Sequence, residues 1–468
     1  MQAAFTNIRT PRILDEQHIE VFFPSETPDS RAIPCQIGRD INLRHDHMQK
    51  ACFRKPSDEM LDLMMLAGAI AFCDRTITRR RSLGWSRNIS LTMPVKNPDL
   101  WNSKKVLGAL RDALGFLTFD RWDFLFVKRE HSYQIGSHEL SLEENKRHVV
   151  IPFSNGLDSL SLVAHFELFE PETKLILASA WNHSQAGSPK KWVKGSSENA
   201  KKHHRIRFPV EIKGRKPEGT YRTRAFLFLV LASVTALLAG ADTVSIPENG
   251  QGIVGASLVP FGEEAPYRNL HPAFARKLSD FIYVLLNERI NIHHPFLWKT
   301  KGAVLKEILG EDADFAWKDT SSCSRDARLS TYQKKKVHCG VCSNCLLRRM
   351  ALHAAGVEND EVYLWADLNS STFEAACAVK EKRVSTFRGG AAAAVLLMET
   401  LARMSEYPET HRVYQKASLE ISGDNFSQVD AVSRKVSGLV KSHASEWEGF
   451  LDSLHVDSWV RSYARCLS

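Results

Sequence analysis

Four cysteines restrict the fold of this chain more than any other feature. Cys339, Cys342 and Cys345 stand at i, i+3 and i+6, and Cys323 lies 16 residues before the first of them. Three thiolates at that spacing, with a fourth from a nearby segment, suit tetrahedral S4 coordination. A ferredoxin-type iron–sulfur run would place its fourth cysteine three residues downstream, followed by proline. Here Leu346, Leu347 and Arg348 follow instead. Structural zinc is the favoured reading; an iron–sulfur cluster and uncoordinated thiols are the alternatives. With four protein thiolates a metal has no open position, so it is not expected to catalyse.

Cys35, Cys52, Cys73, Cys377 and Cys466 are scattered singly and make no disulfide framework. The first residues lack the apolar stretch of a signal peptide, and the two observations together point to the cytoplasm. At 468 residues the chain has length for about three domains of roughly 150 residues each. Hydrophobic residues at 43% and charged residues at 25% exclude a disordered or fibrous protein. The net charge of +8 is concentrated between Lys190 and Lys216, where seven Lys and three Arg face Glu198 and Glu211. The rest of the chain is neutral, which disfavours a protein that coats nucleic acid. The basic segment either steers ATP or a nucleic acid, or is a solvated insertion.

Ala225–Ala241 is an apolar stretch of 17 residues without a charge, at the lower edge of a bilayer span. Ser233 and Thr235 interrupt it, and a strand-like segment, Asp242–Pro247, follows at once. It reads as a buried helix of a soluble chain, with no membrane partner.

Residues 1–147 read as a mixed α+β unit of unassigned role. A helix is expected from Ser57 to about Arg79, and Asn102 is a candidate cap for a second, with Val106, Leu110, Ala113 and Leu117 on one face. Asn88–Val95 and Phe124–Lys128 read as strands, and Trp85, Trp101 and Trp122 as core or interface residues. In residues 148–356 strands and helices alternate. The strands are Val149–Phe153, Lys174–Ala180, Arg205–Ile212 and Thr243–Ile246, with helices from about Leu160 to Phe169 and from Ala225. Such alternation implies a parallel sheet covered on both faces, with ligands at the carboxyl ends of its strands. Residues 357–468 read as helical, with a capping box at Ser371–Glu374 and helices over Val395–Ser405 and Val429–Leu454. Gly389 and Gly390 suit a helix start better than a phosphate loop, because no strand precedes them.

Ser154, Asn155, Gly156, Leu157, Asp158 and Ser159 fall where the first of these strands ends and its helix begins. Free backbone N–H groups and the helix dipole make such a turn an anion site. The same pattern also suits an ordinary strand-to-helix turn capped by Ser and Asp. It is not a Walker loop, since no Gly-Lys-Ser/Thr ending is present.

This hexapeptide resembles the Ser-Gly-Gly-x-Asp-Ser signature of the PP-loop ATP pyrophosphatases, with Asn155 in place of the first glycine. If the position needs positive φ, Asn is the next best residue. The order of a PP-loop, Ser-Cys, and His-Cys-Gly-x-Cys-x-x-Cys-x-x-Arg resembles the 7-cyano-7-deazaguanine synthase (QueC) family. Tyr221–Ala225 before Gly240-Ala241-Asp242 resembles that family's arginine-bearing segment, and Pro295 with Lys299–Leu305 resembles its Pro…Thr-Lys segment.

The resemblance implies an α/β fold: a parallel-sheet, adenine nucleotide α-hydrolase-like core over 148–356 with a zinc knuckle. It further implies an ATP-dependent ligase or synthase that forms AMP and pyrophosphate, using ATP, Mg²⁺ and Zn²⁺. Ser154–Ser159 and Arg224 would bind ATP; Asp158, Ser159 and Lys301 would be catalytic; Cys323, Cys339, Cys342 and Cys345 would hold the zinc. The substrate implied is a 7-carboxy-7-deazaguanine-like acid, adenylated and then attacked by an amine. The long additions at both ends resemble the enlarged QueC-like components of anti-phage operons (the Qat and type IV CBASS kinds), where an operon partner protein would be the amine acceptor. Nucleic-acid modification, plain synthase activity and a non-enzymatic zinc adaptor are the rival readings. His203-His204 and His293-His294 suit surface or helix-end roles better than ligation, and Lys334–Lys336 suits a solvated face.

Overall fold

The computed structural model describes residues 17–43, 55–79, 84–130, 147–181, 203–214, 216–259, 264–325, 329–378 and 384–466. Most of the basic segment, residues 190–202 and 215, lies outside these, as does Cys52.

The first third forms β1 (Gln17–Phe22), β2 (Ile33–Gln36), β3 (Ile41–Leu43), α1 (Asp58–Thr76), β4 (Asn88–Val95), α2 (Pro98–Trp101), α3 (Lys104–Thr118) and β5 (Arg121–Lys128). Four of its strands make a sheet in the order β2-β1-β4-β5, and every pairing is parallel. The expected mixed unit is therefore built on a parallel sheet, with α1 between β3 and β4 and with α2 and α3 between β4 and β5. Val106, Leu110, Ala113 and Leu117 are buried as one face of α3. The cap of α3 is Ser103 and not Asn102: Ser103 Oγ accepts from Val106 N. The Asn102 amide is held by the backbone of β5, accepting from Phe126 N at 3.0 Å and donating to Phe126 O at 2.7 Å. Trp101 and Trp122 are core residues, whereas Trp85 is partly exposed between the guanidinium groups of Arg79 and Arg222.

The middle third forms β6 (His148–Pro152), α4 (Leu157–Phe169), β7 (Lys174–Trp181), β8 (His204–Ile212), α5 (Arg224–Leu238), β9 (Thr243–Ser245), α6 (Pro272–Leu286), β10 (Asn291–His293), α7 (Lys301–Glu311), β11 (Thr331–Tyr332), β12 (Lys335–Lys336) and α8 (Ser343–Ala354). Its six-stranded sheet has the order β10-β9-β6-β7-β8-β3. All pairs are parallel except β3 on β8, so the first third of the chain supplies one edge. Alternate residues of β6 and β7 enter opposite layers, as the two-residue strand period requires. Val149, Ile151, Leu175 and Leu177 pack with α4, α7 and α8; Val150, Ile176 and Ala178 pack with α5 and α1. The apolar stretch from Ala225 is thus a buried helix of the sheet's second layer. No helix among the described residues is long and apolar enough to cross a membrane.

The last third forms α9 (Val384–Arg403), α10 (Arg412–Ser422), α11 (Val429–Asp452) and α12 (Trp459–Arg465). No helix starts at Ser371. Residues 371–376 form turns, in which Thr372 Oγ1 accepts from Ala375 N. Gly389 and Gly390 lie inside α9, where Gly390 leaves room for the Arg325 guanidinium. The C-terminal helices share a hydrophobic cluster with the four-cysteine segment, built on Trp365, Phe387, Trp447 and Trp459.

Candidate active site and metal centre

In this sheet β6 pairs with β7 on one side and β9 on the other, so the chain departs in opposite directions from the seam between β6 and β9. That switch point is where open α/β sheets bind ligands. Two loops meet there: residues 153–159 after β6, and residues 246–251 after β9.

The first loop is held by its own hydroxyls. Ser154 N donates to Ser159 Oγ at 3.1 Å, the two Ser hydroxyls lie 2.9 Å apart, and Gly156 N donates to Ser154 Oγ at 3.2 Å. Gly156 is the N-cap of α4, and no side chain caps that helix, so its first amides are left for another acceptor. Leu157 and Ser159 are buried, and Ser154 is exposed. Asn155 does not adopt positive φ, so the expected backbone reason for tolerating it does not apply. Its carbonyl accepts from Ser321 N at 2.6 Å, and its side-chain Oδ1 is buried with no partner among the described residues.

Asp158 stands at the centre of the contacts between the loops. Its Oδ2 accepts from Lys301 Nζ at 2.7 Å, and its Oδ1 accepts from Asn249 Nδ2 at 3.0 Å. Asn249 Nδ2 also donates to Glu248 Oε1 at 2.9 Å. Burial and the neighbouring Asp158 charge push the Glu248 carboxyl up to about 7, with Lys301 pulling the other way. Lys301 is buried as the first residue of α7, and its backbone N–H donates to Gln251 Oε1 at 2.8 Å. Gln251 opens a π-helical turn, Gln251–Gly255, a local geometry frequent at functional sites.

The structure thus joins Asp158, the neighbour of Ser159 in the loop, to Lys301, more than a hundred residues away in sequence. It does not join Arg224 to them. Among the described residues the guanidinium of Arg224 is exposed and covers the Phe228 ring at 5.2 Å. Its neighbour Arg222 is buried between Trp85 and Tyr267, and donates to Pro266 O at 3.1 Å. Of the histidines set aside as surface residues, His203 pairs with Glu167 at 2.8 Å and His294 Nε2 lies 2.8 Å from Leu270 O. Lys334–Lys336 is exposed on the hairpin before Cys339. Glu248, Asn249 and Gln251 were not foreseen: no motif marks them, and only the β9 end brings them to the loop.

The four cysteines converge. Their sulfurs lie within 4.8 Å of one another, and Cys339 Sγ is 3.8 Å from Cys345 Sγ. Tetrahedral zinc with Zn–S of about 2.3 Å needs sulfurs roughly 3.8 Å apart, so the donor set fits. Cys339 N and Cys342 N point at Cys323 Sγ (3.4 Å) and Cys339 Sγ (3.3 Å), the outer-shell contacts that favour thiolates. Gly340 has φ +87°, and a Cβ there would lie 2.6 Å from Trp365 O, so the Cys-Gly-Val-Cys turn requires glycine. Buried Arg348 of α8 anchors the approach to Cys323: it donates to Trp317 O at 2.8 Å and Thr320 Oγ1 at 2.6 Å, and makes a two-point pair with Glu361.

A family model described as "Queuosine biosynthesis protein QueC" matches residues 199–356. That interval contains Glu248, Asn249, Gln251, Lys301 and all four cysteines; the loop 154–159 precedes it. A 7-cyano-7-deazaguanine synthase of Ruegeria pomeroyi is 28% identical over 149 residues, 31% of this chain and 60% of the relative. Another, from Paracoccus denitrificans, is 27% identical over 153 residues, 32% of this chain and 61% of the relative. The chain spans about three fifths of the length of these curated relatives.

Proposed function

We propose that this protein is an ATP-dependent synthase acting on a 7-deazaguanine carboxylic acid, with residues 148–356 as its chemical core. The observation that carries the reading is the Asp158–Lys301–Asn249 cluster. It sits at the switch point of a parallel sheet, with two of its members inside the interval that matches the QueC model. In this reading Ser154, Asn155, Gly156, Leu157 and Ser159 hold the β and γ phosphates of ATP through backbone amides and hydroxyls, and Arg224 turns to the nucleotide from the first turn of α5. Asp158 and Glu248 put two carboxylates against one lysine. A polyphosphate enters such a cleft with a divalent cation, and Mg²⁺ held at Asp158 would supply that charge. Zinc at Cys323, Cys339, Cys342 and Cys345 would hold the fold.

A substrate carboxylate oxygen attacks the α phosphorus, the bond to the bridging oxygen breaks, and pyrophosphate leaves. Lys301 moves from Asp158 toward the charge that develops in that step. An amine nitrogen then attacks the acyl carbon, the bond to AMP breaks, and an amide forms as the amine gives up a proton. Catalysis by positioning and charge neutralisation needs no acid–base pair. We assign the amine to a partner protein in anti-phage defence, because the additions over 1–147 and 357–468 resemble those of the enlarged QueC-like components of anti-phage operons. Product analysis tests both parts. AMP and pyrophosphate from ATP and 7-carboxy-7-deazaguanine, lost in Asp158→Ala, support the chemistry; ADP and orthophosphate refute it. A partner protein gaining the deazaguanine mass supports the acceptor, whereas full-rate use of ammonia replaces it with plain synthase activity.

A further inference from the structure

We infer that Glu446, on the C-terminal helix α11, is a positioning residue for Lys301, so that the helical region after residue 357 completes the active site. The inference rests on the functional reading above for its meaning, but its geometry is independent of it.

Three contacts fix the first turn of α7, which carries Lys301. Thr300 is its N-cap, with Oγ1 accepting from Ala303 N at 3.1 Å, and the same hydroxyl donates to Glu446 Oε1. Gln251 Oε1 accepts the Lys301 backbone N–H at 2.8 Å. The Gln251 amide is oriented in turn from α11: its Nε2 lies 2.9 Å from His443 Nδ1 and 3.5 Å from Glu446 Oε2. His443 is fully buried, and its Nε2 lies 2.9 Å from Met398 O. Donation to that carbonyl leaves Nδ1 as an acceptor, so the Gln251 Nε2 faces His443 and its Oε1 faces Lys301. Burial pushes His443 down to about 4 and keeps it in this neutral form.

The glycines on this path have no space for a side chain. A Cβ on Gly302 would lie 2.5 Å from Glu446 Oε1 and 2.8 Å from the Ala354 Cβ. One on Gly250 would meet Leu297 O at 2.2 Å and Leu439 of α11 at 2.8 Å. The helix therefore seats directly on the two segments that present Lys301 and Asn249 to Asp158. A covering helix with no bearing on the site would need neither the paired glycines nor a carboxylate aimed at the N-cap hydroxyl.

Hydrogen–deuterium exchange on the full chain, together with steady-state AMP formation, tests the assignment. Losing one such buried hydrogen bond is worth up to about tenfold. Glu446→Ala is expected to raise exchange about that much at residues 300–305 and 154–160, and to raise KM for ATP similarly with a smaller change in kcat. Peptides of α1 should exchange as in the parent. Glu446→Gln, which keeps an acceptor for Thr300, should restore both readouts. Should Glu446→Ala fail to fold, Glu446→Asp, which withdraws the carboxylate by one methylene, is expected to give the same localised rise. Exchange that is unchanged at 300–305 and 154–160, or raised uniformly through the chain, overturns the inference. A parent protein that forms no AMP overturns the functional reading alone, since the exchange result still decides the positioning role.

Discussion

Replacing Lys301 by Met keeps the buried stem and deletes the charge, and the structure sets the size and pH dependence of the result. The Lys301 side chain is 6% exposed and its Asp158 partner 23%, at 2.7 Å. At an effective dielectric of about 20 the gross attraction is roughly 6 kcal/mol, of which truncating one partner of a largely buried pair forfeits about 3 kcal/mol. The second effect runs through Glu248. Burial and Asp158 hold that carboxyl up at about 7 while Lys301 pulls it down, so removing the cation raises it further. Between pH 7 and the raised value the folded variant retains a proton that the folded parent has released. The variant's stability therefore falls more steeply with pH in that window, by about 1.4 kcal/mol for each unit of upward shift. Urea unfolding of parent and Lys301→Met at pH 6 and pH 8.5 measures both parts. The expected difference is about 3 kcal/mol at pH 6 and larger at pH 8.5. Equal differences at the two pH values, or a variant as stable as the parent, would refute the electrostatic account. Turnover to AMP should fall by about 10²–10³ in the variant, as for other lost transition-state cations and donors.

Metal analysis of the purified protein should return about one zinc per chain, and Cys342→Ser should lose both the metal and the folded C-terminal half, because such sites contribute directly to folding; iron with acid-labile sulfide would refute this. Gly340→Ala is expected to destabilise by about 1–3 kcal/mol through its left-handed backbone and the contact with Trp365 O, and a melting temperature equal to the parent's would contradict it. Asp158→Ala should retain the parent's circular dichroism while losing pyrophosphate release.

Local chemistry was legible in the sequence wherever a spacing fixes it. The four cysteines, the buried helix after Arg224 and the strand-to-helix turn at 154–159 are short-range patterns, and the structure contains all three. What escaped is what depends on distant partners. Ser103 displaced Asn102 as the cap because β5, more than 20 residues on, claims the Asn102 amide. The capping box at Ser371 is overridden because Phe373 is drawn into the cluster around Trp365 and Trp459. The left-handed backbone preference of Asn155 is not used: its φ is negative, and its carbonyl serves Ser321. His443 and Glu446 could not be foreseen, since nothing in a helix sequence announces which hydroxyl or amide it will meet 146 or 192 residues away.

The short strand β3 changes what the expected domain boundary near residue 148 can mean. Ile41, Asn42 and Leu43 pair with Val210–Ile212 and close one side of the six-stranded sheet. α1, from the same stretch of chain, covers α5. A polypeptide begun at residue 148 would keep the loop, the lysine and the cysteines, but would offer the β8 edge as an open template with apolar surface beside it. Edges of that kind recruit further chains. The excised segment should therefore sediment as aggregate, while co-expression of residues 1–147 as a separate piece should return it to the supernatant. Insolubility that the added piece does not relieve would count against this role for β3. On this account a core begun at residue 148 does not stand apart from the strand that closes its sheet.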